Sequence, residues 1–184
     1  GVAGFNDDDA GTNAQFYYPV GVAIDPNGAF ALVADYANHR IRRVDISTGA
    51  TTTLAGSGGA GFKDDDAGTN AQFYYPTGIA IDPLGAFALV ADYGNNRIRR
   101  VDISTGATTT LAGSGVAGVN DDNVGTSAQF NHPTGIAIAP DGAFALVTVR
   151  AWPPAPRVSW PSPPQRHTCL ARTPHSPTGL HRCL

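Results

Sequence analysis

"QFYYPVGVAIDPNGAFALVADYANHRIRRVDISTGATTTLAGS", residues 15–57, returns as "QFYYPTGIAIDPLGAFALVADYGNNRIRRVDISTGATTTLAGS" over residues 72–114. A third copy opens at Gln129 as "QFNHPTGIAIAPDGAFALV" and loses the likeness after Val147. The period is 57 residues. Self-similarity at a fixed period marks one supersecondary unit used repeatedly, each copy burying its apolar face against the next. Near-identical units also present near-identical surfaces. That favours binding over catalysis, because an active site usually needs different residues from different units.

Within one copy the apolar runs are short, rich in Val, Ile, Ala, Thr and Phe, and punctuated by turn residues, which predicts strands rather than helices. Four are expected per copy: A over Val20–Asp25, B over Phe30–Asp35, C over Arg40–Ile46 and D over Thr51–Ala55. Asp25-Pro26-Asn27-Gly28 is a turn, with Pro pre-setting φ and Gly accepting a positive one. Tyr36–Asn38 forms the B–C loop, Ser47-Thr48-Gly49 the C–D turn, and residues 56–72 a long Gly/Asp/Asn loop to the next strand A. Strand A is small and apolar throughout, as suits an inner strand crowded on both faces. Strand D, with Thr51-Thr52-Thr53, is β-branched and half polar, as suits an outer edge. Four-stranded antiparallel units repeated in this way predict an all-β chain, the blades of a β-propeller.

The pattern F-x-x-P-x-G-[VI]-A-[VI]-D-P-x-G … V-A-D-x-x-N-x-R-I-R resembles the NHL repeat family of propellers. Pro19, Gly21, Asp25, Gly28, Val33, Ala34, Asp35, Asn38, Arg40 and Ile41 fall in register, and again one period later. The resemblance covers Phe16–Gly56, Phe73–Gly113 and Phe130–Val147; Ala139 departs from it by replacing the strand A Asp. The family's propellers usually have six blades. The expectation is therefore a fragment with two complete blades (16–56 and 73–113) and half of a third (130–148). The chain also opens inside an inter-repeat loop, since "GVAGFNDDDAGTNAQF" aligns with residues 58–73.

Charge divides the chain at the same place. The region before Thr148 carries 15 acidic side chains against 7 basic ones, a balance of −8, whereas the tail carries +5 and no acid. "WPPAPRVSWPSPPQRHTCLARTPHSPTGLHRCL" lacks regularly spaced aliphatic residues, so residues 149–184 are expected to form a disordered tail. Three readings of it stand: a Pro-rich basic linker or groove ligand, a disulfide between Cys169 and Cys183, and, preferred, text from a shifted reading frame or unspliced intron. No signal peptide or membrane-spanning run is visible, and localisation is left open.

Strand polarity places the B–C and D–A loops on one face. That face is expected to collect Tyr36, Asn38, His39, Tyr93, Asn95 and Asn96 with the acidic runs, of which Asp64, Asp65 and Asp66 are the clearest. It is the predicted surface for a protein or a small polar ligand. Clustered carboxylates suit calcium, but "NDDDAGTNAQF" lacks EF-hand spacing, and Asp and Asn beside Gly commonly cap turns. The preferred expectation is structural loops with no cofactor and no metal. Arg43, on the side of Ile41 if the strand alternates, is expected to join an inter-blade ion pair with Asp35 or Asp92. Some NHL propellers bind RNA or protein, but so acidic a region lacks the basic footprint of nucleic-acid binding. Relatives of this fold include metal-dependent lyases and lactonases, whose ligands converge from several blades. Here His39 corresponds to Asn96, His132 reads as a packing substitution for Tyr75, and no nucleophile–base pair appears. A non-catalytic scaffold is the leading expectation, and part of such an enzyme the alternative.

Overall fold

The computed structural model describes residues 3–150 and 168–172. Blade I is the antiparallel meander β1 (Pro19–Ile24), β2 (Phe30–Asp35), β3 (Arg40–Asp45), β4 (Thr51–Ala55). Blade II repeats it as β5 (Pro76–Ile81), β6 (Phe87–Asp92), β7 (Arg97–Asp102), β8 (Thr108–Ala112). Strands B and D match their predicted bounds. Strand A begins one residue earlier, at the proline, and strand C ends one residue earlier, at Asp45.

Blade III holds β9 (Pro133–Ile138), β10 (Phe144–Val149) and β11 (Thr168–Arg172), in the order β11-β10-β9. This corrects the expected boundary of the disordered tail. Val149 still belongs to β10, and Thr168–Arg172 lies antiparallel to β10 with Cys169 opposite Val147. The reason is general: a strand edge offers a row of N–H and C=O groups that any extended segment can satisfy. The remainder of the tail, with the pairing of Cys169 and Cys183, lies outside the described residues.

Turn chemistry explains the punctuation. Gly28 has φ 72, and its N–H donates to the Asp25 carbonyl. At the C–D turn, Asp45 Oδ1 accepts from the amides and hydroxyls of Ser47 and Thr48, and these bonds lower its pKa to about 2.

The blades stack face to face, and their first strands β1, β5 and β9 lie side by side. A Cβ placed on Gly21 would strike the Thr77 carbonyl, and one on Gly78 would fall 2.5 Å from the Thr134 carbonyl. Only glycine allows inner strands so close. The first inter-blade core joins Leu32 and Ala34 of blade I to Phe73, Ile79 and Val90. The second joins Leu89 and Ala91 to Phe130, Ala145 and Val147. This is a propeller arrangement, as the sequence predicts.

Strand C alternates regularly against β2. The irregularity lies in β4, where Leu54 is left unpaired between Ala55 opposite Ile41 and Thr53 opposite Arg42, with its twin in β8. Ile41 and Arg42 are both fully buried, Ile41 in the inter-blade core and Arg42 on the other face, against Asp35 and the loop residues Asn6, Asp7 and Gln15. The Asp35 partner is Arg42, within the same blade, and not Arg43 across a blade junction. Arg43 instead lies over its own blade's Phe30 ring, 3.9 Å from the centroid.

Candidate functional site

The loop face is built from two recurring pieces. The first is a 3-10 turn at the end of strand B, Tyr36–Asn38 in blade I and Tyr93–Asn95 in blade II. It ends in a left-handed residue, His39 (φ 55) or Asn96 (φ 53). His and Asn tolerate that conformation better than most residues, which is the local reason they occupy the position. The second piece is the residue before each strand A proline. Tyr18, Tyr75 and His132 have φ 51, 56 and 50. A bulky side chain there is a genuine outlier, and a following proline disfavours helical backbone further.

These strained positions bring rings together across the blade junctions. Tyr36 lies almost flat on Tyr75 of the next blade, centroids 4.5 Å apart and planes 19° from parallel. Tyr93 meets His132 of blade III at 4.6 Å. Tyr93 and Tyr36 are 6.5 Å apart, which links the two pairs into one row. Tyr74 stacks on Tyr75 at 4.6 Å, and Tyr17 on Tyr18 at 5.0 Å. Burial, and then the neighbouring Tyr93, Tyr75 and Tyr74, raise the Tyr36 pKa, so the phenol stays a neutral donor.

The structure brings together only some of the predicted site residues. Tyr36, Tyr93 and His39 belong to the aromatic row. Asn38 and Asn95 are internal fasteners: Asn38 Nδ2 donates to the Gly4 carbonyl (2.6 Å) and Asp35 Oδ2 (2.9 Å), and Asn95 repeats this with Gly61 and Asp92. Asn96 Oδ1 accepts from the His132 N–H at 2.9 Å. The acidic run lies elsewhere. Asp64 reaches Arg99 Nη2 at 2.5 Å and the Thr110 amide at 3.0 Å, and the Asp65 backbone bridges Thr108 on the outer strand β8. Asp65 also pairs with Lys63, and Asp66 is exposed. Gly68 then reaches the C–D turn at Gly106. The long loop thus runs down the blade's outer edge, away from the tyrosines, because these carboxylates bind strands C and D. Sequence reasoning passed over Tyr17, Tyr18, Tyr74 and Tyr75, and its packing reading of His132 omitted the ring row. Their one visible signal is the aromatic residue directly before each strand A proline.

His39 and Asn96 do the same work with different chemistry. The His39 Nδ1 accepts the Tyr75 N–H at 3.1 Å, so its proton resides on Nε2 and the ring is neutral. Burial first and the Arg40 charge second lower its pKa, while Asp35 opposes them; Tyr74 and Tyr75 are the rings against it. A histidine depressed in the folded state takes up its proton first in the unfolded chain. Its contribution is full above the unfolded value of about 6.5 and is lost as pH falls from there through the folded value. Melting temperatures across this window should fall more steeply in the wild type than in His39→Asn, which copies blade II. Parallel profiles would refute the histidine's role.

The family model for the NHL repeat matches residues 16–44. These residues thus match an NHL repeat. It is similar to NHL repeat-containing protein 2 of Bos taurus, 38% identical over 98 residues that make up 53% of this chain and 14% of that one. The chain thus spans about one seventh of the length of this curated relative. Among solved structures it is similar to an auxiliary nutrient binding protein of Bacteroides thetaiotaomicron: TM-score 0.59, 24% identity, 68% of this chain and 33% of that one. It is also similar to a chain of a nidogen/laminin complex: TM-score 0.57, 18% identity, 90% of this chain and 47% of that one. These structures share the propeller fold with this chain. Among its described residues, no helix is long and apolar enough to cross a membrane.

Proposed function

We propose that this NHL chain is a non-catalytic binding scaffold, and that its loop face at the Tyr36 and Tyr93 end takes up a protein segment or a small polar ligand. The observation that carries the reading is the strained aromatic row. Backbone strain at bulky residues persists only where the surroundings enforce it, and it concentrates at ligand-binding positions. Here it recurs in three copies and sets rings on edge along one face, where each can offer an apolar surface and a phenol. The fold relatives agree in kind: one is described as nutrient binding, the other comes from a protein–protein complex. A parent ring of six such blades would continue the row around the channel mouth. The alternative, a lyase- or lactonase-type enzyme, needs metal ligands converging from several blades; His39 and His132 here face tyrosine rings and backbone amides.

The test is an NMR titration of the labelled chain with free sugars, amino acids and short peptides. Shifts gathered at Tyr36, Tyr75, Tyr93 and His132 support the reading. Each Tyr→Ala change should weaken such binding about two- to twelvefold, the value of an aromatic contact worth about 0.5–1.5 kcal/mol. Shifts gathered instead at the A–B turns, Asp25–Gly28 and Asp82–Gly85, would move the site to the opposite face.

A further inference from the structure

All six tyrosines of the chain stand on the loop face: Tyr17, Tyr18, Tyr36, Tyr74, Tyr75 and Tyr93. Met and Cys, the usual sinks for oxidants, do not compete with them there. The chain has no Met, and Cys169, Cys183, Trp152 and Trp160 all follow Thr148. An oxidant acting on the blades therefore finds tyrosine first. The ring pairs are graded in geometry. Tyr36 and Tyr75 are nearest to parallel, with 4.5 Å between centroids and 19° between planes. Tyr74 and Tyr75 follow at 4.6 Å and 28°, and Tyr17 and Tyr18 at 5.0 Å and 27°. Tyr36 and Tyr93 are tilted by 59° at 6.5 Å. The unpaired electron of a phenoxyl radical occupies orbitals perpendicular to the ring, so two such rings couple face to face and not edge to face. Tyr36 and Tyr75 are half-buried, which leaves them open to a small oxidant and to water. Tyr36 follows β2 of blade I and Tyr75 precedes β5 of blade II, so a bond between them would cross a blade junction.

We infer that Tyr36 and Tyr75 are a site of oxidative modification, where hydrogen peroxide acting through a haem peroxidase joins them as dityrosine and staples blade I to blade II. Each phenol gives one electron to the oxidant and one proton to water. The two phenoxyl radicals then form one C–C bond between carbons ortho to their oxygens. The hydrogens on those carbons move to oxygen, which restores two phenols. Hydrogen peroxide takes up the two electrons and two protons and leaves as two waters. Like a disulfide, the link restricts the unfolded chain and should raise the urea midpoint. No ligand takes part, so failure of the cross-link would leave the binding role of this face untouched.

Treatment of the dilute, full 184-residue chain with hydrogen peroxide and a haem peroxidase tests it. Trypsin should then release residues 1–40 joined to residues 64–97, lighter than their sum by the hydrogens lost in coupling and carrying dityrosine fluorescence. Tyr36→Phe and Tyr75→Phe keep the ring and drop only the oxygen. Each should abolish the joined peptide with unchanged β-sheet circular dichroism, whereas Tyr18→Phe and Tyr74→Phe should still form it. In urea, where the blades part, the wild type should lose it. Coupling confined to residues 64–97, cross-links chiefly between copies, a joined peptide that survives in Tyr36→Phe, or no coupling at all would each overturn the inference.

Discussion

Asp92→Ala should cost about 3–5 kcal/mol of folding stability, the range for breaking a buried ion pair by removing one partner. Asp92 and Arg99 are both fully buried, their charged atoms 2.9 Å apart. Arg99 Nη1 also donates to the Gln72 carbonyl, and Nη2 to the Lys63 carbonyl and Asp64. Its Nε is buried with no acceptor, so the guanidinium has no spare partner to turn to. Asp92 further accepts the Tyr74 amide at 2.8 Å and the Asn95 side chain at 2.9 Å. One carboxylate thus ties strand C, the B–C turn and the segment leading into strand A. Its loss strands a buried cation together with two donors. Asp64 contacts the same arginine, but its side chain is 41% exposed, and Asp64→Ala should cost only about 0–1 kcal/mol. Urea denaturation of both variants separates the cases. Adding Arg99→Met to Asp92→Ala should restore part of the loss, because the stranded charge goes with it. Equal costs for the two aspartates, or no restoration, would show that Arg99 does not depend on Asp92.

That pair also shows where the sequence was legible. The repeat, the four strands and the turns are local signals, and Pro, Gly and the alternation of apolar residues carry them. Asp35 and Asp92 at the end of strand B suggest a pairing role, and the arginines of strand C are the obvious partners. Which arginine depends on the register of β2 against β3: Arg42 lies opposite Val33, on the face of Asp35, and Arg43 opposite Leu32, on the other face, and the letters alone do not give that register. The acidic runs mislead for a related reason. Their neighbours in sequence are loop residues, but their partners are strand residues, Asp7 with Arg42 and Asp64 with Arg99. The loop is drawn down the outer edge by contacts about 35 residues away. The aromatic row depends on left-handed backbone at Tyr18, Tyr75 and His132, against the preference of the tyrosines and against the restriction a following proline imposes on all three. Tertiary contacts impose it, and no propensity announces it.

Gly78→Ala should be, with Gly21→Ala, among the most damaging single-methyl changes in the inner strands. The added carbon would fall 2.5 Å from the Thr134 carbonyl, 2.9 Å from Gly135 Cα and 3.0 Å from the Ile136 amide. All three are backbone, so no side chain can swing aside and blades II and III must part. Overpacking of a tight site costs about 1–3 kcal/mol, occasionally more, and rigid obstacles place this site at the upper end. Gly28→Ala is the contrasting control: nothing lies within 4 Å of its Cβ position, and only its positive φ resists the change, at about 1–2 kcal/mol. The two variants should also differ at the loop face. Parting β5 from β9 separates Tyr93 from His132, whose rings now sit 4.6 Å apart, whereas the A–B turn at Gly28 lies at the opposite end of its blade. Near-ultraviolet circular dichroism of the tyrosines should therefore weaken in folded Gly78→Ala and stay unchanged in Gly28→Ala. If Gly78→Ala kept both its stability and its tyrosine signal, the inner glycines would not set the spacing of the rings along the loop face.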